Sequence, residues 1–239
     1  MLVSGAASQT PVAVVAGRHT VTANGDVQHS TAQSKFGASS IRFDGTGDYL
    51  TIPNSSDWDF GTGDFTIEFW ARLDNASVRQ YYMSNGDVPS GTKSLAFKNQ
   101  ENRRFKYLPS TTGSSYDLEG YGGGPDSTIN NTWQHYAFVR YGTSWKPYVD
   151  GTLGYSNRTS SSALYTSPNQ LTIGAIEYTS GFSELMTGYM DEIRISDNAR
   201  YTSNFTPPTS AFTVDGNTKL LIHSDTTNGS TTFVGEGHT

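Results

Sequence analysis

Residues 65–73, FTIEFWARL, alternate apolar and polar without a break. Phe65, Ile67, Phe69, Ala71 and Leu73 fall on one side; Thr66, Glu68, Trp70 and Arg72 fall on the other. A helix would wrap these residues around its axis, whereas a strand turns successive side chains to opposite faces. The run is therefore a strand with one apolar face. The same period recurs upstream, where Ile41 and Phe43 flank Arg42, and Leu50 and Ile52 alternate with Tyr49 and Thr51. Gly45-Thr46-Gly47 and Gly61-Thr62-Gly63 separate the runs and supply the backbone freedom that tight corners need. One apolar and one mostly polar face per strand predicts sheets packed on one side only, that is, an all-β antiparallel β-sandwich.

The rest of the chain agrees. Ser94–Lys98 and Arg103–Leu108 read as a hairpin, and Thr132–Tyr141, Trp145–Asp150, Leu171–Ala175 and Tyr189–Ser196 as further strands. Asp197–Phe205 is expected to form a single helical turn capped by Ser196 or Asp197. With 25 Gly and only 16% charged residues in 239, the composition points away from helix. A net charge of −6 argues against a phosphate-backbone partner, so no nucleic acid is expected. Cys is absent, which excludes disulfides and thiolate zinc. No apolar run is long enough for a membrane helix, and the opening MLVSGAASQTPVAVVAG lacks the basic start of a secretory signal.

Three separated segments carry a resemblance. FDGTGDYLTIP followed by DFGTGDFTIEFWARL, NTWQHYAFVR at Asn131–Arg140, and GYMDEIRISDNARYTSNFTPPTSAF at Gly188–Phe212 are similar to the laminin-G-like, concanavalin A-like jelly-roll family. Copies of that domain in structural proteins of marine tailed phages are the nearest likeness. It covers roughly His19 to Phe212. The chain is then expected to divide into an N-terminal arm (1–18), a laminin-G-like sandwich (19–212) and a C-terminal arm with one strand (213–239). The resemblance implies a non-enzymatic virion structural protein at the virion surface: a capsid decoration, fibre or tail accessory touching other virion proteins or copies of itself. The alternative is a carbohydrate-binding module for host-surface attachment, and the third reading is a glycan hydrolase.

Carboxylates stand at the strand corners. Asp44 and Asp48 flank the first glycine corner, and Asp191 opens a late strand. The laminin-G-like family often binds Ca²⁺ on the sandwich rim, and an oxygen-rich corner suits that ion. By resemblance Asp44, Asp48 and Asp191 are the calcium candidates; alternatively Asp44 and Asp48 cap their own turn. The Glu-x-Asp-x-Glu pattern of concanavalin-like glycanases is absent, and Asp191 and Glu192, being adjacent, point to opposite faces of a regular strand.

Exposed tyrosine and tryptophan beside loops suit sugar stacking and equally suit protein interfaces. Tyr116, Tyr121, Trp145, Tyr155 and Tyr178 are the candidates. The basic cluster of Lys98, Arg103, Arg104 and Lys106 reads as a solvated strand face. KLLIH, residues 219–223, reads as a strand lying beyond the usual end of the domain. Leu220, Leu221 and Ile222 would each forgo roughly 1.5–3 kcal/mol if left in water. They are expected to pack across a subunit boundary, giving a homo-oligomer, or to pair beside Val21 in their own sandwich.

Overall fold

A computed structural model describes residues 14–87, 92–124, 126–178 and 180–238. Residues 1–13, most of the expected N-terminal arm, lie outside them. Among the described residues there is no α-helix, and an eleven-stranded and a seven-stranded antiparallel sheet face each other. The path through the larger sheet runs Val14–Thr20, Val234–His238, Thr218–Ile222, Thr187–Ser196, Phe65–Leu73, Gln134–Tyr141, Ser144–Val149 and Thr152–Leu153. The smaller sheet runs Gly120–Gly122, Arg104–Pro109, Thr92–Gln100, Gln80–Asp87, Leu171–Ile173, Tyr49–Ile52 and Thr22–Asn24.

The apolar face of Phe65–Leu73 turns inward as its period demands. Phe69 meets Tyr82 at 5.1 Å and Tyr136 at 5.5 Å between ring centroids, and Phe105 meets Tyr136 at 5.0 Å. Aromatic rings at offset and tilted angles fill the space between the sheets, each with a large buried area. Met190, Ile193 and Ile195 join them from the neighbouring strand.

The larger sheet is not packed on one side only. Its outer face is covered too, which corrects the one-sided expectation. Trp70 packs with Phe212 and Leu221, and Ala137, Val139 and Tyr148 pack with Tyr201 and Phe205. The covering segment is the stretch after Ser196. It forms no helical turn; it runs through a series of bends and stacks Tyr201 on Phe205 at 3.6 Å.

The tail belongs to this same sheet. Thr218–Ile222 lies between two strands of its own chain, with Ile193 opposite Ile222, Ile195 opposite Leu220, and Leu221 opposite Glu236. Leu220, Leu221 and Ile222 are wholly buried in the single chain. Their expected role as an inter-subunit arm is therefore corrected: the hydrophobic drive to find a partner is already met at home. The pairing partner is Ile193–Ser196, not Val21. A second strand, Val234–His238, follows and pairs with Val14–Thr20, so residues 213–239 add two strands where one was expected.

Candidate functional site

The first glycine corner brings acids together. Asp48 lies just before Tyr49–Ile52, which pairs with Thr22–Asn24 and so draws the Asn24-Gly25 turn alongside. Asp48 Oδ1 accepts from the Asp26 N–H at 2.8 Å and its Oδ2 from the Asp44 N–H at 3.0 Å. Asp44 Oδ1 accepts from the Thr46 N–H at 2.6 Å. Oxygens of Asp26, Asp44 and Asp48 all lie within 4.8 Å of one another. Burial, with the Asp44 charge in support, pushes the Asp48 carboxyl up to about 6. An all-oxygen set of three carboxylates fits a hard cation, while the turn-capping hydrogen bonds occupy other lone pairs.

Asp191 is not part of this group. Its Oδ2 accepts from the Lys35 and Phe36 N–H groups at 3.0 and 3.2 Å, and its Oδ1 from the Glu192 N–H at 3.0 Å. It ties down the loop at 35–36 and is corrected as a partner of Asp44 and Asp48. The strand here is irregular: the register shifts between Asp191 and Arg194, and Glu192 has φ +52°. That bulge breaks the two-residue period. Both acids therefore line one cleft of about 530 Å³, with His29, His223 and Glu236. Glu192 Oε1 meets His223 Nδ1 at 2.7 Å and its Oε2 accepts from the Phe212 N–H at 2.5 Å. Burial lifts the Asp191 carboxyl to about 7 against its three N–H donors. Every acid at the bulge is spent on holding a neighbouring segment.

The five aromatic candidates separate into three places. Trp145 is fully buried, 5.9 Å from Phe65 and 6.1 Å from Phe138, and its Nε1 donates to Ser160 O at 3.1 Å. It sits on the inward parity of Ser144–Val149 with Val149, which corrects its reading as an exposed stacking aromatic. Tyr116 and Tyr178 pack against Tyr81, Ala96, Leu108 and Ile176 on the outer face of the smaller sheet. Tyr178 donates to Glu184 Oε1 at 3.2 Å. Tyr121 and Tyr155 stand together at the edge of that sheet, where Tyr155 is 59% exposed. The Arg104 guanidinium carbon lies 4.2 Å from the Tyr121 ring centroid and 5.0 Å from that of Tyr155.

Local sequence builds this edge. Gly120–Gly122 pairs with Arg104–Pro109, setting Tyr121 opposite Lys106 on the outer face. Gly154 lies so close to this strand that a Cβ there would sit 2.6 Å from Gly122 Cα. Glycine at both positions lets the 154–158 loop lie against the sheet edge and carry Tyr155 beside Tyr121. The Tyr107 hydroxyl donates to Ser156 O, and Arg158 Nε donates to Glu119 O at 3.1 Å, fixing the loop from both ends.

A family model described as the concanavalin A-like lectin/glucanases superfamily matches residues 44–204. The chain belongs to this superfamily. A search of curated proteins found no match. Among solved structures, a putative carbohydrate binding protein from Bacteroides ovatus matches at 13% identity and TM-score 0.52, over 91% of this chain and 58% of that one. The botulinum neurotoxin serotype D binding domain matches at 10% identity and TM-score 0.57, over 77% of this chain and 44% of that one. A structure of the receptor binding domain of botulinum neurotoxin D gives 10%, 0.57, 77% and 46% for the same measures. These likenesses establish a lectin-like sandwich. The chain spans about half the length of the solved chains it matches.

Within this concanavalin A-like sandwich, sequence reasoning missed two site residues. Asp26 joins the rim acids only because strand pairing folds the Asn24-Gly25 turn onto the glycine corner. Arg104 was read with its neighbours as a solvated face. The glycines at 120, 122 and 154 were the available signal that backbones approach closely there.

Proposed function

We propose that this chain is a non-enzymatic recognition protein of a virion surface, anchored to other virion proteins or to copies of itself, whose sandwich holds a glycan. The observation that carries the glycan part is that Tyr121 and Tyr155 both bring their rings to Arg104 at a sheet edge. Flat rings with a polar tip stack on the apolar faces of sugars, and glycines and strand pairing hold these two in place before any ligand arrives. The superfamily and the carbohydrate-binding neighbour support the same reading. Support for the virion part is the resemblance of the 43–73, 131–140 and 188–212 segments to phage structural proteins.

Asp191 and Glu192 favour binding over hydrolysis. Their oxygens accept from the N–H groups of Lys35, Phe36 and Phe212 and meet His223, which supports a role in holding neighbouring segments together.

A glycan array probed with the purified chain tests the binding part. Binding is expected, and Tyr121→Ala or Tyr155→Ala should weaken it about tenfold, the ~1.4 kcal/mol of a modest contact residue. Binding that survives both changes, or reducing sugar released from a bound polysaccharide, overturns it. Mass spectrometry of purified particles tests the virion part, which fails if the chain is absent from them.

A further inference from the structure

Arg104 is charged and partly buried, and among the described residues no carboxylate pairs with it. Its Nε is buried with no hydrogen-bond partner. The acids around it have other partners: Asp126 faces Arg103 at 3.7 Å, and Glu119 faces Lys106 at 2.9 Å. Arg158, at the same edge, uses the Glu119 carbonyl rather than a carboxylate.

The imbalance continues across the sheet. Lys106 stands directly opposite Lys98, a like-charge pair of which only Lys106 has a close carboxylate, Glu119, among the described residues. Lys98 lies over the Tyr81 ring at 5.0 Å, and burial pulls its amine below the usual lysine range, with Glu184 opposing that trend. Arg104, Lys106 and Arg158 thus gather at one outer edge, with Lys98 on the next strand in, in a chain whose net charge is −6. Composition does not explain that gathering. A planar guanidinium fork between two tyrosine rings offers paired N–H donors to a carboxylate and ring faces to the sugar that bears it.

We infer that the glycan bound at this edge is acidic, its carboxylate held by Arg104 with Lys106 in support and its sugar ring laid against Tyr121 and Tyr155. This rests on the glycan-binding reading and adds the chemical class of the ligand.

The test uses the full chain on an array that sets uronate- and sialate-bearing oligosaccharides beside their methyl esters, with neutral and sulfated glycans alongside. The ester keeps the stereochemistry and removes the charge while adding one methyl group. Free acids are expected to bind at least about tenfold more tightly than their esters, the margin of a lost charge-assisted hydrogen bond. Added salt should shrink that margin. Arg104→Gln should erase it, so that acid and ester bind alike, and Arg104→Lys should retain part of it, since the charge remains and the fork is lost.

Esters and neutral glycans binding as well as acids would overturn the inference and leave the glycan reading standing. Binding confined to sulfated glycans overturns the carboxylate assignment. No binding by any glycan overturns both. Should Arg104→Gln fail to fold, Lys106→Gln must narrow the acid-to-ester margin; an unchanged margin there also overturns the inference.

Discussion

Glu68 and Arg104 stand on the outer faces of the two sheets, and the chain treats them in opposite ways. Glu68 is wholly buried and surrounded: Arg194 donates to its Oε1 at 2.9 and 2.6 Å, and His135 and Tyr201 reach its Oε2 at 3.1 and 2.8 Å. Arg104 has two tyrosine rings and a buried Nε with no acceptor among the described residues. A charge enclosed by its own partners locks the fold, because removing any member strands the others in a medium that penalises them. A charge the fold leaves incomplete contributes little to stability and is available to a ligand. The difference separates architecture from recognition in a molecule with strong electrostatics in both places.

The largest expected effect comes from breaking the enclosed charge. Glu68→Gln should cost ~3–5 kcal/mol, because Arg194 is left buried without its carboxylate. Burial alone would raise the Glu68 carboxyl; the His135 hydrogen bond and the Arg194 charge outweigh it and hold the group below its ordinary 4.5. Its stabilisation is therefore fully present above about pH 4.5 and is lost as pH falls through the lower folded value. Urea denaturation at pH 7 and pH 4 reads both effects. A loss under about 1 kcal/mol at pH 7 would put Glu68 in the same class as Arg104 and dissolve the contrast.

The two sites were not equally legible. Alternation in FTIEFWARL identified the strand and its inward face, because period two is set by backbone geometry alone. It assigned Glu68 and Trp70 to a polar face, and both are buried, since what covers that face is Tyr201, Phe205 and Phe212 from more than a hundred residues away. Parity also sent Asp191 and Glu192 to opposite sides, and one left-handed residue at Glu192 undid it. Arg104 was hidden for a different reason. A basic strand face looks alike in sequence whether solvent or a ligand covers it, and only the close glycine contact that delivers Tyr155 distinguishes them.

The rim acids lie between the two extremes. Among the described residues no basic side chain pairs with Asp44 or Asp48, yet turn N–H groups already use part of their capacity. With Asp48 lifted to about 6 from 3.8, the folded state holds a proton that the unfolded state has lost, so stability falls as pH rises through that window. A cation would take the proton's place. Ca²⁺ at 100-fold above its dissociation constant should add ~2.7 kcal/mol, a rise of several degrees in melting temperature for a chain of this size. The rise should be larger at pH 7.5 than at pH 5 and vanish in Asp48→Asn. Identical melts in EDTA and Ca²⁺ would place the cluster with the self-satisfied charges.

His223 gives a smaller effect. Its Glu192 hydrogen bond raises the imidazole above 6.5 despite opposing burial. The stabilisation is complete below pH 6.5 and fades as pH rises through the folded value. With the side chain 28% exposed, solvent screening keeps the gain under about 1 kcal/mol. His223→Gln should flatten the difference in denaturation midpoint between pH 5.5 and 8.5; a variant as pH-dependent as the parent would assign that dependence to another group.

The smallest effect is the most informative. Arg104→Gln should leave stability within about 0.5 kcal/mol of the parent, as expected for a surface change that breaks no internal partnership. Two terms nearly cancel. The change removes a guanidinium stacked on Tyr121 and Tyr155, a contact worth ~0.5–1 kcal/mol where exposed. It also removes a buried N–H that has no acceptor among the described residues, and a charge that shares the Tyr121 ring with Lys106. Added salt should stabilise the parent slightly more than the variant, because it screens a repulsion that only the parent carries. Parallel urea melts at low and high salt measure both quantities. A loss above about 2 kcal/mol would mean that Arg104 holds the edge together as Glu68 holds the outer face, and the site would then be structural rather than a surface kept open for a ligand.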